Sequence, residues 1–131
     1  MNLLSVLTTS FSCILLLLVT LSLCNATPLL THAVQQTFDG QATFFYPGLG
    51  SCGWRDNATS MIVAMNAVQG NGFCGRHVRI TNEQTSRTAV GRVTDLCESC
   101  GKGDLDLSPA LFHALGGTDA EGVFPIHWDF A

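Results

Sequence analysis

Between Val93 and Phe112 the chain reads V-T-D-L-C-E-S-C-G-K-G-D-L-D-L-S-P-A-L-F, which gathers carboxylates, a close cysteine pair and a helix start in one stretch. Alternation over Asp104-Leu105-Asp106-Leu107 turns two leucines to one side and two aspartates to the other, because an extended chain has a side-chain period of two. The leucines anchor the segment in a core and the aspartates face outward. Ser108 has the chemistry of a helix N-cap, Pro109 suits the first helical position, and Gly116-Gly117 ends the helix after Leu115. Asp106 is thereby held between two buried neighbours and a helix start. With Asp95 at the end of the preceding strand it supplies carboxylates, a side-chain type able to do general acid–base work. Each also has a plain structural reading: Asp106 as a partner of the helix start at Ser108, and Asp95 as an acceptor for backbone N–H groups at a strand end.

The elements that must position these side chains are short. Gln41 to Tyr46 is aromatic and β-prone, and Pro47-Gly48-Leu49-Gly50 breaks it. Met61 to Met65 is an apolar strand or turn. His77 to Thr81 and Thr88 to Asp95 read as strands joined by a hairpin through Asn82 to Arg87, a short helix runs from Pro109 to Leu115, and Gly122 to Phe130 supplies the last strand or strands. Many short strands with turn signals between them imply a small barrel.

Residues Met1 to Leu23 contain no charged side chain, and the apolar run from Phe11 ends in Cys24-Asn25-Ala26, the pattern of a secretory signal peptide cut near Ala26. The departure is an n-region with no Lys or Arg, and the bland alternative is a membrane anchor. Cleavage leaves about 105 residues, enough for one domain. Residues 27–39 read as an N-terminal arm and residues 40–131 as the barrel domain. The 47% hydrophobic content overstates the core, because the leader is so apolar. A formal charge of −4, all of it in the mature part, argues against nucleic acid and anionic membrane as partners.

Cys13 and Cys24 leave with the leader. Cys52, Cys74, Cys97 and Cys100 remain, an even number in a secreted domain, so disulfides are the default. Three pairings are open; Cys97 and Cys100 are separated by two residues, and Cys52 and Cys74 each adjoin a turn glycine, which favours Cys52–Cys74 with Cys97–Cys100. Zinc held by Cys97 and Cys100 with His77 or His113 is the alternative. Otherwise neither metal nor cofactor is expected. Asn57-Ala58-Thr59 is an N-glycosylation sequon in a loop-like region.

The series G-Q-A-T-F-F-Y-P-G-L-G-S-C-G at Gly40, I-V-A-M-N at Ile62, C-G-R-H-V-R-I at Cys74, V-T-D-L-C-E-S-C at Val93 and G-D-L-D-L-S-P-A-L-F at Gly103 resembles the RlpA-like double-psi β-barrel. It is most similar to the single-domain fungal loosenins and expansin-like proteins, with barwin and the family 45 endoglucanases more distant. The resemblance implies an all-β, six-stranded double-psi barrel with one or two short helices and a polar groove for β-linked polysaccharide. It also implies wall loosening without net hydrolysis, with Asp106 as the key aspartate, Asp95 as the strand-end aspartate and Thr43 as the threonine of the first strand. Expansins similar to this chain often carry a tyrosine where Cys97 stands. In the endoglucanases a base aspartate sits on the first strand, and Gln41 to Tyr46 has none; Asp39 precedes it and Asp95 is the other candidate.

Tyr46 and Trp54, flanking the glycine-rich loop, are candidates to stack on sugar faces, against a plainer packing role; Thr43 has β-propensity as its plainer reading. The expectation is a secreted, extracellular, monomeric protein that binds cellulose, chitin or a related β-glycan. The alternatives are a barwin-like protease inhibitor or defence protein, docking a protease through Gly48 to Asn57, and a weak glycoside hydrolase or lytic transglycosylase.

Overall fold

The computed structural model describes residues 35–69 and 72–131. The expected signal peptide, Cys13, Cys24 and most of the expected arm lie outside the described residues. Six strands, β1 (Thr37–Phe44), β2 (Ile62–Asn66), β3 (His77–Asn82), β4 (Thr88–Cys97), β5 (Leu105–Leu107) and β6 (Phe124–Phe130), close into a barrel in the order β1-β5-β2-β4-β3-β6. A short helix, α1 (Pro109–Ala114), and a 3-10 turn (Ala67–Gln69) complete the elements. Closure gives each of the six strands a neighbour on both sides, which is how a small all-β domain limits edge-to-edge association.

The β1–β5 and β2–β4 pairs are parallel, and the other four are antiparallel. Parallel neighbours need a long crossover. Here the crossover from β2 to β4 includes β3, and that from β1 to β5 includes three strands. The interior is filled by alternate residues: Ala42, Val63, Met65, Val78, Ile80, Val93, Leu105, Leu107, Phe124, Ile126 and Trp128 are buried, and Leu111, Phe112 and Leu115 of α1 join the same core. The α1 helix ends where Gly116, at φ +89°, donates to the His113 carbonyl, the backbone turn that glycine permits at a helix C-terminus.

Three expectations change. First, β1 begins at Thr37, so Thr37, Phe38 and Asp39, assigned to the arm, are strand residues paired with Asp129, Trp128 and His127 of β6. Phe38 stacks on Trp128 at 4.4 Å, and that burial draws the start of the strand into the barrel. Second, Ser108 does not cap α1 with its side chain. It is fully buried, its hydroxyl donates to the Ser60 carbonyl and accepts from the Ile62 N–H, and it ties β2 to the end of β5. Third, the bridge between Cys97 and Cys100 leaves neither thiolate for zinc; among the described residues no three metal-ligating side chains converge.

The structure joins Cys52 to Cys74 and Cys97 to Cys100, the pairing that the spacing favours. Among the described residues no helix is long and apolar enough to cross a membrane.

Candidate functional site

The carboxylates are placed by register. Thr43 on β1 is opposite Asp106 on β5, Asp106 is opposite Ala64 on β2, and Ala64 is opposite Asp95 on β4. Cross-strand partners share a face, so Thr43, Asp106, Ala64 and Asp95 form one row across four adjacent strands on the outside of the barrel. Leu105 and Leu107 are fully buried while Asp106 between them is half-buried, as the alternation requires. Neighbouring strands lie about 4.8 Å apart, which puts the Asp95 and Asp106 backbones roughly 9.6 Å from each other.

The two carboxyl groups are shifted in opposite directions. Burial raises the Asp106 carboxyl above the ordinary aspartate range, the nearby Asp95 charge pushes the same way, and hydrogen bonds from the Thr43 hydroxyl and the Leu107 N–H offset only part of this. The Thr43 bond, Oγ1 to Asp106 Oδ1, measures 2.8 Å. At Asp95 burial also acts upward, but three hydrogen bonds outweigh it and lower the carboxyl below its usual range. Asp95 Oδ1 accepts from the Ser51 hydroxyl at 2.6 Å, the Ser51 N–H at 2.8 Å and the Leu96 N–H at 2.8 Å. Two neighbouring acids driven apart in this way differ in what they suit: the raised one to hold a proton, the lowered one to stand charged.

Asp106 does not serve the helix start. The Ala110 N–H is taken by the Ala58 carbonyl and the Phe112 N–H by the Ser108 carbonyl. A depression of about 170 Å³ opens in front of it, lined by Gln41, Thr43, Asp104, Asp106, Ser99 and the Cys97–Cys100 bridge. The bridge thus forms part of the wall at the place where the sequence departs from similar expansins by having Cys97 for a tyrosine.

The loop ahead of Asp106 is fixed from several directions. Asp104 accepts the Gln41 N–H at 2.8 Å and the Gly101 N–H at 3.1 Å. Gly103, at φ +89°, lies so close to β1 that a Cβ would run into the Asp39 carbonyl, and its own carbonyl accepts Trp128 Nε1 at 2.8 Å. Only glycine combines that φ with that approach.

Asp39 lies in the first strand after all, on the same outward face as Gln41 and Thr43, but four residues from Thr43 is about 13 Å along a strand. It borders a second depression with Lys102 and Gly103. Tyr46 and Trp54 do not line the Asp106 depression. Tyr46 is 73% exposed with its ring edge-on to Phe44, and Trp54 packs with Gly75 and the Arg92 guanidinium, 4.8 Å from its ring. Ser51, Gln41 and Ser99 escape a reading of the sequence, because nothing local distinguishes them from other polar loop or strand residues. Asp104 is visible in it as the other outward carboxylate of the D-L-D-L segment, with no role attached.

A closed mixed barrel of this strand order, with its carboxylates in a row outside, is a double-psi β-barrel. The chain belongs to the barwin family, which it matches over residues 51–126. Among solved structures it is similar to the Streptomyces papain inhibitor, at 32% identity and TM-score 0.63 over 73% of this chain and 94% of that one. It is also similar to a Clavibacter michiganensis expansin, at 30% identity and TM-score 0.64 over 73% of this chain and 50% of that one. An aspartate-to-asparagine mutant of that expansin has been solved in complex with cellohexaose. Curated relatives include a ripening-related protein of Oryza sativa, 32% identical over 91 residues, and an allergen homologue of Arthroderma benhamiae, 28% identical over 111 residues. The chain spans 54% and 38% of their lengths, covering with them 64% and 70% of its own.

Proposed function

We propose that this is a secreted, extracellular, expansin-like protein whose Thr43–Asp106–Asp95 row binds β-linked polysaccharide of a cell wall, such as cellulose or chitin, and loosens it without hydrolysis. The carrying observation is an acid without a competent base. Asp106 is raised and suits proton donation, whereas Asp95 is lowered by three hydrogen bonds and is a weak base at neutral pH. Asp39 stands four residues, about 13 Å, along β1 from Thr43, the register partner of Asp106, and does not line the Asp106 depression. A polar groove with a protonatable carboxyl can disrupt hydrogen bonds between glycan chains without an activated water. The likeness to an expansin whose mutant was solved with cellohexaose supports the choice of ligand, and the two disulfides suit an oxidising compartment. The test is incubation of the domain with defined β-glucans and chitin, scoring reducing ends and dispersive loosening separately. Loosening with no reducing ends above a boiled control is expected; sustained release abolished by Asp95→Asn would make the protein a hydrolase.

A second reading rests on a different surface. Four exposed large apolar residues, Tyr46, Leu49, Trp54 and Met61, lie on the single connection between β1 and β2. That connection is stiffened by the Leu49–Arg55 bridge and the Cys52–Cys74 disulfide. Together with the likeness to a papain inhibitor it supports docking of a papain-like protease. Binding to neither cellulose nor chitin, with inhibition of papain, would favour it.

A further inference from the structure

We infer that Asn57 carries an N-linked glycan in the mature protein. The inference rests on the secreted reading above, and its geometry is independent of the groove. Asn57 is exposed, and its Oδ1 accepts both the Thr59 N–H at 2.9 Å and the Thr59 hydroxyl at 2.7 Å. Both bonds reach only two residues along the chain, so this turn needs no tertiary contact to close it. The two bonds polarise the amide through its oxygen and leave Nδ2 without a partner among the described residues. Pro is absent from the middle position, which Ala58 occupies.

The folded domain leaves the site open. The segment is fastened through groups other than the Asn57 amide: the Ala58 carbonyl accepts the Ala110 N–H of α1 at 3.0 Å, and Ser60 receives the Ser108 hydroxyl through its carbonyl. A sugar on Nδ2 therefore breaks none of the contacts that hold the connection to the barrel. In the transfer Nδ2 attacks the anomeric carbon of a lipid-pyrophosphate-linked oligosaccharide. The C–N bond forms, the anomeric C–O bond breaks, its electron pair leaves with the lipid pyrophosphate, and Nδ2 gives up one proton. The glycan would stand on the same connection that carries Leu49 and Trp54, beside the N-terminal turn of α1 and off the row that holds Asp106.

The full chain is expressed in a eukaryotic secretory host, recovered from the medium, treated with peptide-N-glycosidase and mapped by mass spectrometry. The expected result is a mobility shift with conversion of residue 57 to aspartate, abolished in Asn57→Gln and Thr59→Ala and retained in Thr59→Ser. Binding of Asn57→Gln to insoluble cellulose and chitin should equal that of the parent. An unmodified Asn57 in protein recovered from the medium overturns the inference. If the chain stays inside the cell, the secreted reading fails, and the same variants behind an unrelated cleaved leader decide the site: modification there supports it, and its absence overturns it.

Discussion

Thr43 and Asp106, 63 residues apart, share a hydrogen bond of 2.8 Å across the parallel β1–β5 pair. The hydroxyl offsets part of the cost of burying the carboxylate, so this contact sets how readily Asp106 holds a proton. Replacing Thr43 by Val keeps the shape of a β-branched residue and removes the donor. The Asp106 carboxyl should then titrate at still higher pH, read from the pH dependence of its carbonyl NMR signal. A loss of about 0.5–1.5 kcal/mol of stability is expected from the missing bond. An unchanged titration would show that Thr43 does not govern the site.

Asp106→Asn separates function from stability. A carboxyl raised in the folded state contributes stability that is complete below its unfolded value of about 3.9 and is lost as pH rises through the folded value. Above the folded value the charged group therefore costs stability, and there the neutral amide should melt no lower than the parent. This difference should shrink on acidification. Glycan loosening should collapse in the same variant, and full loosening by a folded Asp106→Asn would remove the reason for placing a groove there.

Asp95 behaves with the opposite sign. Its lowered value contributes stability above the unfolded value, and that contribution disappears as pH falls through the folded one. Ser51→Ala removes one of three bonds at a partly exposed site, so a loss of about 1 kcal/mol or less is expected near pH 7 and none in strong acid. Thermal melts across the acid range measure it; a loss that persisted unchanged in acid would assign the effect to the loop and not to the carboxylate.

The two disulfides should differ in weight. On the chain-entropy estimate, removing Cys52–Cys74, with its separation of 22 residues, costs about 3 kcal/mol, and removing Cys97–Cys100 costs about 2 kcal/mol. Paired Cys→Ala variants in denaturant melts test the ranking. Loss of Cys97–Cys100 should in addition weaken glycan binding, because that bridge walls the depression beside Asp106.

Gly103→Ala should destabilise by more than a surface change does. The left-handed φ alone costs about 1–2 kcal/mol, and the added methyl meets the Asp39 carbonyl. Pushing β5 from β1 lengthens the Thr43–Asp106 bond, so the Asp106 titration should shift together with the melting temperature. A variant with parental stability would mean that β1 yields at no cost.

What the sequence determined by itself was local. Period-two alternation put Leu105 and Leu107 inside and Asp106 outside, the spacing of the four cysteines favoured the bridges that form, and Asn82 to Arg87 separated the two strands of a hairpin. Each follows from neighbours within a few residues or from loop length. A resemblance in short motifs supplied the barrel and singled out Thr43, Asp95 and Asp106 as candidates. Tertiary structure decided the rest, since a parallel register is set by closure of the whole barrel and leaves no local trace. It brought Ser51 onto Asp95 across 44 residues, turned Ser108 from the helix toward Ser60, drew Thr37 to Asp39 into β1 through the Phe38–Trp128 stack, and left Tyr46 and Trp54 outside the depression. Which carboxyl is raised and which lowered depends on those distant donors and on burial, so the chemistry of the pair exists only once the barrel is closed.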